Sequence, residues 1–525
     1  MASTQDTRNV FLVFEGGGAK GIVHVGALRA LEGHDIRVAG VAGTSAGAIV
    51  AALVAAGYSS RELIADDGSS PLLRVIGLER ATDFFGANWS RLALARRAWG
   101  NKTAAALLTA LPCMVLAWLC TLIFGAGISD AILIFLALIG LLAAILLGFL
   151  ARGLAHLDLL VEKLELALSL KLGIREGQPV YFRDFDKVGR PLRVIATDLA
   201  ARRLVLFSSK ETPDVRVAEA VAASAALPIA CRHRIVAGRK CIDGGIVSNL
   251  PAWTFDEERA LDPDAVTVAI SIDDGRNGRE GIDDGPLQIL MSILHAAMFG
   301  RRHLETRAAP RLLTLNLKTD IQVVDFDMGR EFARAAVENA ERAAIARISD
   351  RLFKLPRRFE EACHQIGTQV DAQAKGNLPA HSRTRVLVAL RDPGASDSWR
   401  IQFGSGLLPT DSDDQILLPE DASVIGHAVL SGAPILQAQP FGQDVALSGP
   451  RNRYRKALVR QDLQWCLAVP IYAASEQDAD PVAVVAIDSN VDVSYFRFDE
   501  ATVEALAKAA ETVVLPVVRL ALSVE

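Results

Sequence analysis

Between Thr103 and Phe124, and again between Ala131 and Leu150, the sequence contains no Asp, Glu, Lys or Arg. A helix needs roughly 20 predominantly apolar residues to cross a bilayer's hydrocarbon core, and both stretches are long enough. The intervening GAGISD suits a tight helix–helix turn. Arg91, Arg96, Arg97 and Lys102 precede the pair and Arg152 follows it, whereas the turn has no basic residue. Cytoplasmic flanks collect Lys and Arg, so both outer ends are expected in the cytoplasm. A buried helical hairpin in a large soluble core is the alternative; the length and uniformity of the stretches favour a two-helix membrane hairpin over 103–150. Pro112 is expected to kink the first helix, and the carbonyl it frees then needs a partner within the protein.

The rest of the 525 residues has a globular pattern, enough for two or three domains. Apolar residues make up 51%, high for a soluble protein but modest for a polytopic one. The net charge of −5 implies no basic face for nucleic acid. Six scattered cysteines form no CxxC pair, which argues against a disulfide framework or zinc site and suits a reduced compartment. The N-terminus lacks the pattern of a secretory signal.

Val10 to Phe14 is a short apolar run that suits a strand covered on both faces. GGGAKG, Gly16 to Gly21, leads into a helix from about Gly21 to Leu31, and Val38 to Ala42 is a second strand. GTSAG, Gly43 to Gly47, then opens an Ala-rich helix to about Ala56. Strand, helix, strand, helix with short connections is the α/β signature. GTSAG fits the G-x-S-x-G elbow, where a strand turns sharply into a helix and presents a serine in a strained conformation. Gly43 and Gly47 allow the close crossing, and Ser45 sits where the helix dipole favours a developing anion. GGGAKG also satisfies G-x-G-x-x-G, but the acidic residue a dinucleotide site expects after the next strand is replaced by the serine elbow. Gly16, Gly17 and Gly18 are instead candidates for an oxyanion hole, the amides of Gly17 and Gly18 foremost, with Gly16 and Gly21 permitting the turn. Lys20 either adds positive charge there or is an exposed cap.

A serine nucleophile needs a base. None of the nine histidines stands in a catalytic context: His24 and His34 lie in or beyond the first helix, His233 between Arg232 and Arg234, and His303 in a basic stretch. Asp243 is followed by Gly244 and Gly245, which permit an unusual turn and close approach. A carboxylate is a poor base in water, but burial raises its basicity, so a Ser45–Asp243 dyad is admissible in a dry site.

GGGAKG, GTSAG and DGG, in that order, resemble the patatin-like phospholipase family, as do ASAALP (Ala223 to Pro228) and SNLP (Ser248 to Pro251). The resemblance implies a three-layer α/β/α hydrolase over 8–350, and this sequence departs from the usual family member by carrying the apolar hairpin 103–150 within it. It also implies a Ser–Asp dyad without histidine, and hydrolysis of lipid acyl esters without metal or cofactor. A helical linker is expected over 351–383. Residues 384–525 resemble a GAF domain through DASVIGHAVLSGAPI, LAVPIY, VAVVAIDSN and FDEATVEALAKAAETV, although the glycine usual before the third of these is missing. That resemblance implies an α/β sensor that binds a small molecule or forms a homodimer. The expected partners are membrane phospholipid and the bilayer, with both globular parts on the cytoplasmic side. A membrane-tethered sensor or scaffold with a vestigial hydrolase, and a signal-activated membrane-degrading effector, are the alternatives.

Overall fold

The computed structural model describes residues 8–90, the helical positions 114–115, 132–134 and 136–141, and 153–523 apart from 154, 176, 263–264, 274–285, 301–304, 306–310, 324, 393–394, 409–410, 413–415, 443–451 and 474–479. Most of the hairpin expected over 103–150 therefore lies outside the described residues. Among the described residues no helix is long and apolar enough to cross a membrane.

The chain divides into two compact units, the first built mainly from residues up to 255 together with 266–306 and 314–344, the second mainly from 345–525. In the first, β1 (Arg8–Phe14) is followed by α1 (Val23–Glu32), β2 (Ile36–Thr44) and α2 (Ala46–Ala56). The sheet continues with β3 (Leu192–Asp198), β4 (Arg203–Ser208), β5 (Arg234–Val236), β6 (Arg239–Asp243), β7 (Val266–Asp273) and β8 (Leu312–Lys318). The pairing path is β5-β6-β3-β2-β1-β7-β8, with β4 also on β3. β1 is parallel to β2 and β7, and β2 to β3, while β4 and β6 run antiparallel to β3. The unit is thus an α/β fold around a mixed sheet. Val10, Leu12, Val13 and Phe14 are fully buried, as their unbroken apolar run requires of a strand with no solvent face.

The strand pairing positions the site. β4 runs along one edge of β3 from Arg193 to Asp198. β2 and β6 must then share the other edge, end to end. Thr44, the last residue of β2, is paired with Ile195, and Asp243, the last of β6, with the adjacent Ala196. Two strand ends from distant parts of the chain therefore meet head to head.

The second unit contains an antiparallel sheet of β9 (Thr384–Asp392), β10 (Ala395–Ser405), β11 (Leu418–Pro419), β12 (Ile435–Ala438), β13 (Trp465–Ile471) and β14 (Ala483–Ser489), in the order β11-β10-β9-β14-β13-β12. Helices Leu355–Asp371 and Glu500–Ser523 contribute to one apolar core and helix Val424–Ser431 to another. The stretch 351–383, expected as a linker, is thus largely part of this unit. Leu355, Phe359, Ala362, Cys363, Ile366 and Val370 recur at helical spacing and are all buried, so the segment has an apolar face that a free connector would leave in water.

The buried Arg385 holds Asp488 through two hydrogen bonds of 2.9 and 2.6 Å, and Arg460 adds a third at 3.3 Å. Removing one partner of a buried ion pair leaves uncompensated charge and costs about 3–5 kcal/mol. Asp488→Ala is expected to lower the stability of this unit by that order in denaturant titration; a loss below ~1 kcal/mol would show the cluster to be energetically idle.

Candidate active site

Thr44 ends β2 and Ala46 begins α2, leaving one residue to reverse the chain. Ser45 does so at φ 54°, ψ −127°, a conformation L-residues rarely adopt. The crossing is tight: a β-carbon on Gly47 would lie 2.3 Å from the Phe14 carbonyl oxygen, and one on Gly43 would lie 2.3 Å from that of Gly47. The strained backbone is held by named contacts. The Ser45 amide donates to Ser224 Oγ at 2.8 Å, and Thr44 Oγ1 donates to the Ser248 carbonyl at 2.9 Å.

Asp243 arrives from the opposite direction. Its backbone carbonyl accepts from Thr197 Oγ1 at 2.8 Å, and its Oδ1 accepts from the Gly245 amide at 2.8 Å. Gly244 is pressed against β3, where a β-carbon would come within 2.2 Å of the Ile195 carbonyl oxygen. Ser45 Oγ donates to Asp243 Oδ2 at 2.6 Å. Asp243 is fully buried, and burial raises its carboxyl from 3.8 to about 6, against the opposing effect of the Ser45 and Gly245 hydrogen bonds.

The glycine loop lies beside this pair. A β-carbon on Gly16 would stand 3.0 Å from Ser45 Cβ. Gly18 has φ +57° and no room for a β-carbon, which would meet the Val323 carbonyl oxygen at 2.3 Å. Gly21 packs close to the start of α2, with Ala46 Cβ 3.2 Å from the position of a β-carbon. The Gly16 amide donates to the Asn249 carbonyl at 3.1 Å. That corrects the expectation of three oxyanion donors, because the Gly16 hydrogen is already committed to the protein. Lys20 is not an exposed cap: it is buried, with Nζ 5.7 Å from the centroid of the Phe299 ring.

Among the described histidines none is hydrogen-bonded to Ser45 or Asp243. His24 is buried with Nε2 2.8 Å from the Glu15 carbonyl oxygen, and burial lowers it to about 4, leaving it neutral. His34 binds the Ala30 carbonyl. His233 is exposed, and His303 lies outside the described residues.

Sequence patterns alone did not assign Ser224, Thr44, Thr197 and Asn249 to the site. Ser224 and Asn249 stand in ASAALP and SNLP, and Thr44 is a variable position of GTSAG, so those stretches carry the available signal; Thr197 has none.

Residues 12–256 match the family model described as patatin-like phospholipase. This region is patatin-like. The chain is also similar to the uncharacterized protein YqhO of Bacillus subtilis (strain 168), 28% identical over 343 residues that cover 63% of this chain and 94% of the relative. Among solved structures, VipD from Legionella pneumophila is 17% identical, covering 66% of this chain and 67% of that chain at a TM-score of 0.32. ExoU in the ExoU–SpcU complex of Pseudomonas aeruginosa is 18% identical over 66% of this chain and 52% of that chain, with a TM-score of 0.30. A GAF domain/HD domain protein from Geobacter sulfurreducens is 13% identical, covering 32% of this chain and 97% of that chain at a TM-score of 0.23.

The raised Asp243 carboxyl of the patatin-like domain has a consequence for stability. A folded-state value above the ordinary one favours the folded protein below about pH 4, and this contribution is lost as pH rises through about 6. At pH 8 the ionised, buried carboxylate costs ~3 kcal/mol relative to a neutral group. Asp243→Asn is therefore expected to melt several degrees higher than wild type at pH 8, and the gain should shrink towards pH 4.5. An equal or lower melting temperature at pH 8 would contradict this.

Proposed function

We propose that the protein is a lipid acyl hydrolase that uses a Ser45–Asp243 dyad, held to the bilayer by the segment 103–150 and regulated by its GAF-like C-terminal unit. The observation that carries the chemistry is the 2.6 Å hydrogen bond from Ser45 Oγ to a buried carboxylate. Asp243 takes the hydroxyl proton as Oγ attacks the ester carbonyl carbon. The tetrahedral oxyanion is held by the amides of Gly17 and Gly18, the two that open the helix at the glycine loop, and losing one such donor costs about 3 kcal/mol. Collapse breaks the bond to the leaving alcohol, whose oxygen receives the proton from Asp243. A water molecule then gives a proton to Asp243 while its oxygen attacks acyl-Ser45. The fatty acid departs, and the proton returns to Ser45 Oγ. No step needs a metal or cofactor.

Burial serves the base directly. A carboxylate whose conjugate acid titrates at about 6 accepts a proton more readily than one at the ordinary value, and it is still ionised at neutral pH. kcat/KM on a short soluble ester is expected to fall as pH drops through about 6. Ser45→Ala and Asp243→Asn should each reduce turnover roughly a thousandfold or more. Turnover equal to wild type in both variants would remove the dyad.

Membrane attachment is supported by the two uncharged stretches and their basic flanks. Within them, the apolar side chains of Met114, Val115, Ile132, Leu133, Leu136 and Leu141 are exposed. A catalytic mouth held at the bilayer lets a long-chain ester enter laterally, avoiding transfer into water at ~0.8 kcal/mol per methylene. The basic flanks support a cytoplasmic location for both globular units, since cytoplasmic flanks collect Lys and Arg. The GAF-like reading is supported by an antiparallel six-stranded sheet with separate apolar cores, and it gives that unit the role of a small-molecule sensor or homodimer contact. Deleting 103–150 is expected to yield a soluble enzyme that keeps its activity on short esters and loses it on phospholipid vesicles; undiminished vesicle hydrolysis would contradict the anchoring role.

A further inference from the structure

We infer that Asn249 is the residue that aims the oxyanion donor, by clamping both ends of Gly16. Its backbone carbonyl accepts from the Gly16 amide at 3.1 Å. Its Nδ2 donates to the Gly16 carbonyl at 3.1 Å and to Glu15 Oε1 at 3.3 Å. In a trans peptide the C=O and the following N–H lie in one plane and point in opposite directions. Fixing the Gly16 carbonyl therefore fixes the Gly17 N–H, which is turned away from Asn249. The inference rests on the dyad reading, since it assigns the Gly17 amide to the oxyanion.

The side-chain amide of Asn249 has only one workable orientation. Both of its donor contacts are acceptors, a carbonyl and a carboxylate, so the reversed amide would set oxygen against oxygen. Glu15 is itself immobilised: it is fully buried, and Oε2 accepts from Ser271 Oγ at 2.9 Å and from the Ile272 amide at 2.6 Å. The consequence is an orphan. Asn249 Oδ1 is buried without a hydrogen-bond partner among the described residues, a condition that costs about 1–3 kcal/mol. It faces the two catalytic loops: a β-carbon on Gly16 would stand 2.4 Å from it and one on Gly245 2.7 Å from it. One side chain thus fills the space left by two glycines, one beside the oxyanion loop and one beside the base. The neighbouring Ser248 carbonyl holds Thr44, next to the nucleophile. Residues 248 and 249 thereby set the register of loop, elbow and base together.

Asn249 touches no reacting atom, so it is a positioning residue, and its test must separate aim from folding. The measurement is the ratio of kcat for a short-chain p-nitrophenyl ester to that for its thionoester, on the full-length protein. Sulfur is a poor hydrogen-bond acceptor, so the oxygen-over-sulfur preference reports the oxyanion donors, and a ratio is independent of the fraction of protein folded. Asn249→Ala, and Asn249→Ser as the milder variant, are expected to lower kcat on the ester about a hundredfold, with KM little changed. The ester-to-thionoester ratio should fall by a similar factor. A ratio equal to wild type in both variants overturns the inference, whatever happens to the absolute rates. Failure of the dyad reading looks different: wild type would then hydrolyse neither substrate above the level of Ser45→Ala.

Discussion

The hydrogen bond between Ser45 and Asp243 depends on how strand β3 shares its edges. Because β4 takes one edge of β3 along 193–198, β2 and β6 must both use the other, and their C-terminal ends abut at Ile195 and Ala196. The nucleophile elbow and the aspartate turn are local structures, and each can form from its own glycines. What brings them into contact is a non-local register, fixed by which backbone groups pair on β3. Slipping β6 along β3 would carry the carboxylate away from the hydroxyl. Gly244 and Gly47 enforce the register from the other side, because each admits a carbonyl oxygen where a β-carbon would stand.

The two units treat buried charge in opposite ways. In the C-terminal unit Asp488 is met by the guanidinium groups of Arg385 and Arg460, so its ionised form is compensated. Asp243, equally buried, has the Ser45 hydroxyl and the Gly245 amide as its hydrogen-bond donors. Among the described residues no guanidinium or ammonium holds its carboxyl down, and it rises to about 6. Strain is added at Ser45, and at Asn249 a side-chain oxygen, Oδ1, that is unsatisfied among the described residues. These costs concentrate within one small region, which is where a site prepared for a developing anion is expected to hold them.

Much of this region is legible in the amino-acid sequence, because glycines there have one physical explanation each. Gly43 and Gly47 mark a crossing too close for side chains, and their spacing around Ser45 is enough to point to the elbow. The run Val10 to Phe14 marks a buried strand for similarly direct reasons. The sequence is less informative where a group's role depends on a partner far along the chain. The sequence puts the amides of Gly17 and Gly18 ahead of that of Gly16, but nothing local shows that the Gly16 amide is consumed by Asn249. Lys20 has the look of a surface residue, yet the fold buries its stem. The segment 351–383 has a connector's charge, and only the spacing of Leu355, Phe359, Cys363 and Ile366 hints that one face is core. Ser224 and Asn249 lie in stretches that resemble family motifs, but what each one holds is decided by tertiary contacts.

The proposed chemistry depends most directly on the identity and protonation of the nucleophile's partner. Reaction of the full-length protein with a fluorophosphonate, followed by peptide mass mapping across a pH series, measures both together. A Ser45–Asp243 dyad predicts a single adduct on Ser45, formed at a rate that is half-maximal near pH 6 and abolished in Asp243→Asn. An adduct on another residue, or labelling of Ser45 that is unchanged when Asp243 is neutral, would contradict it.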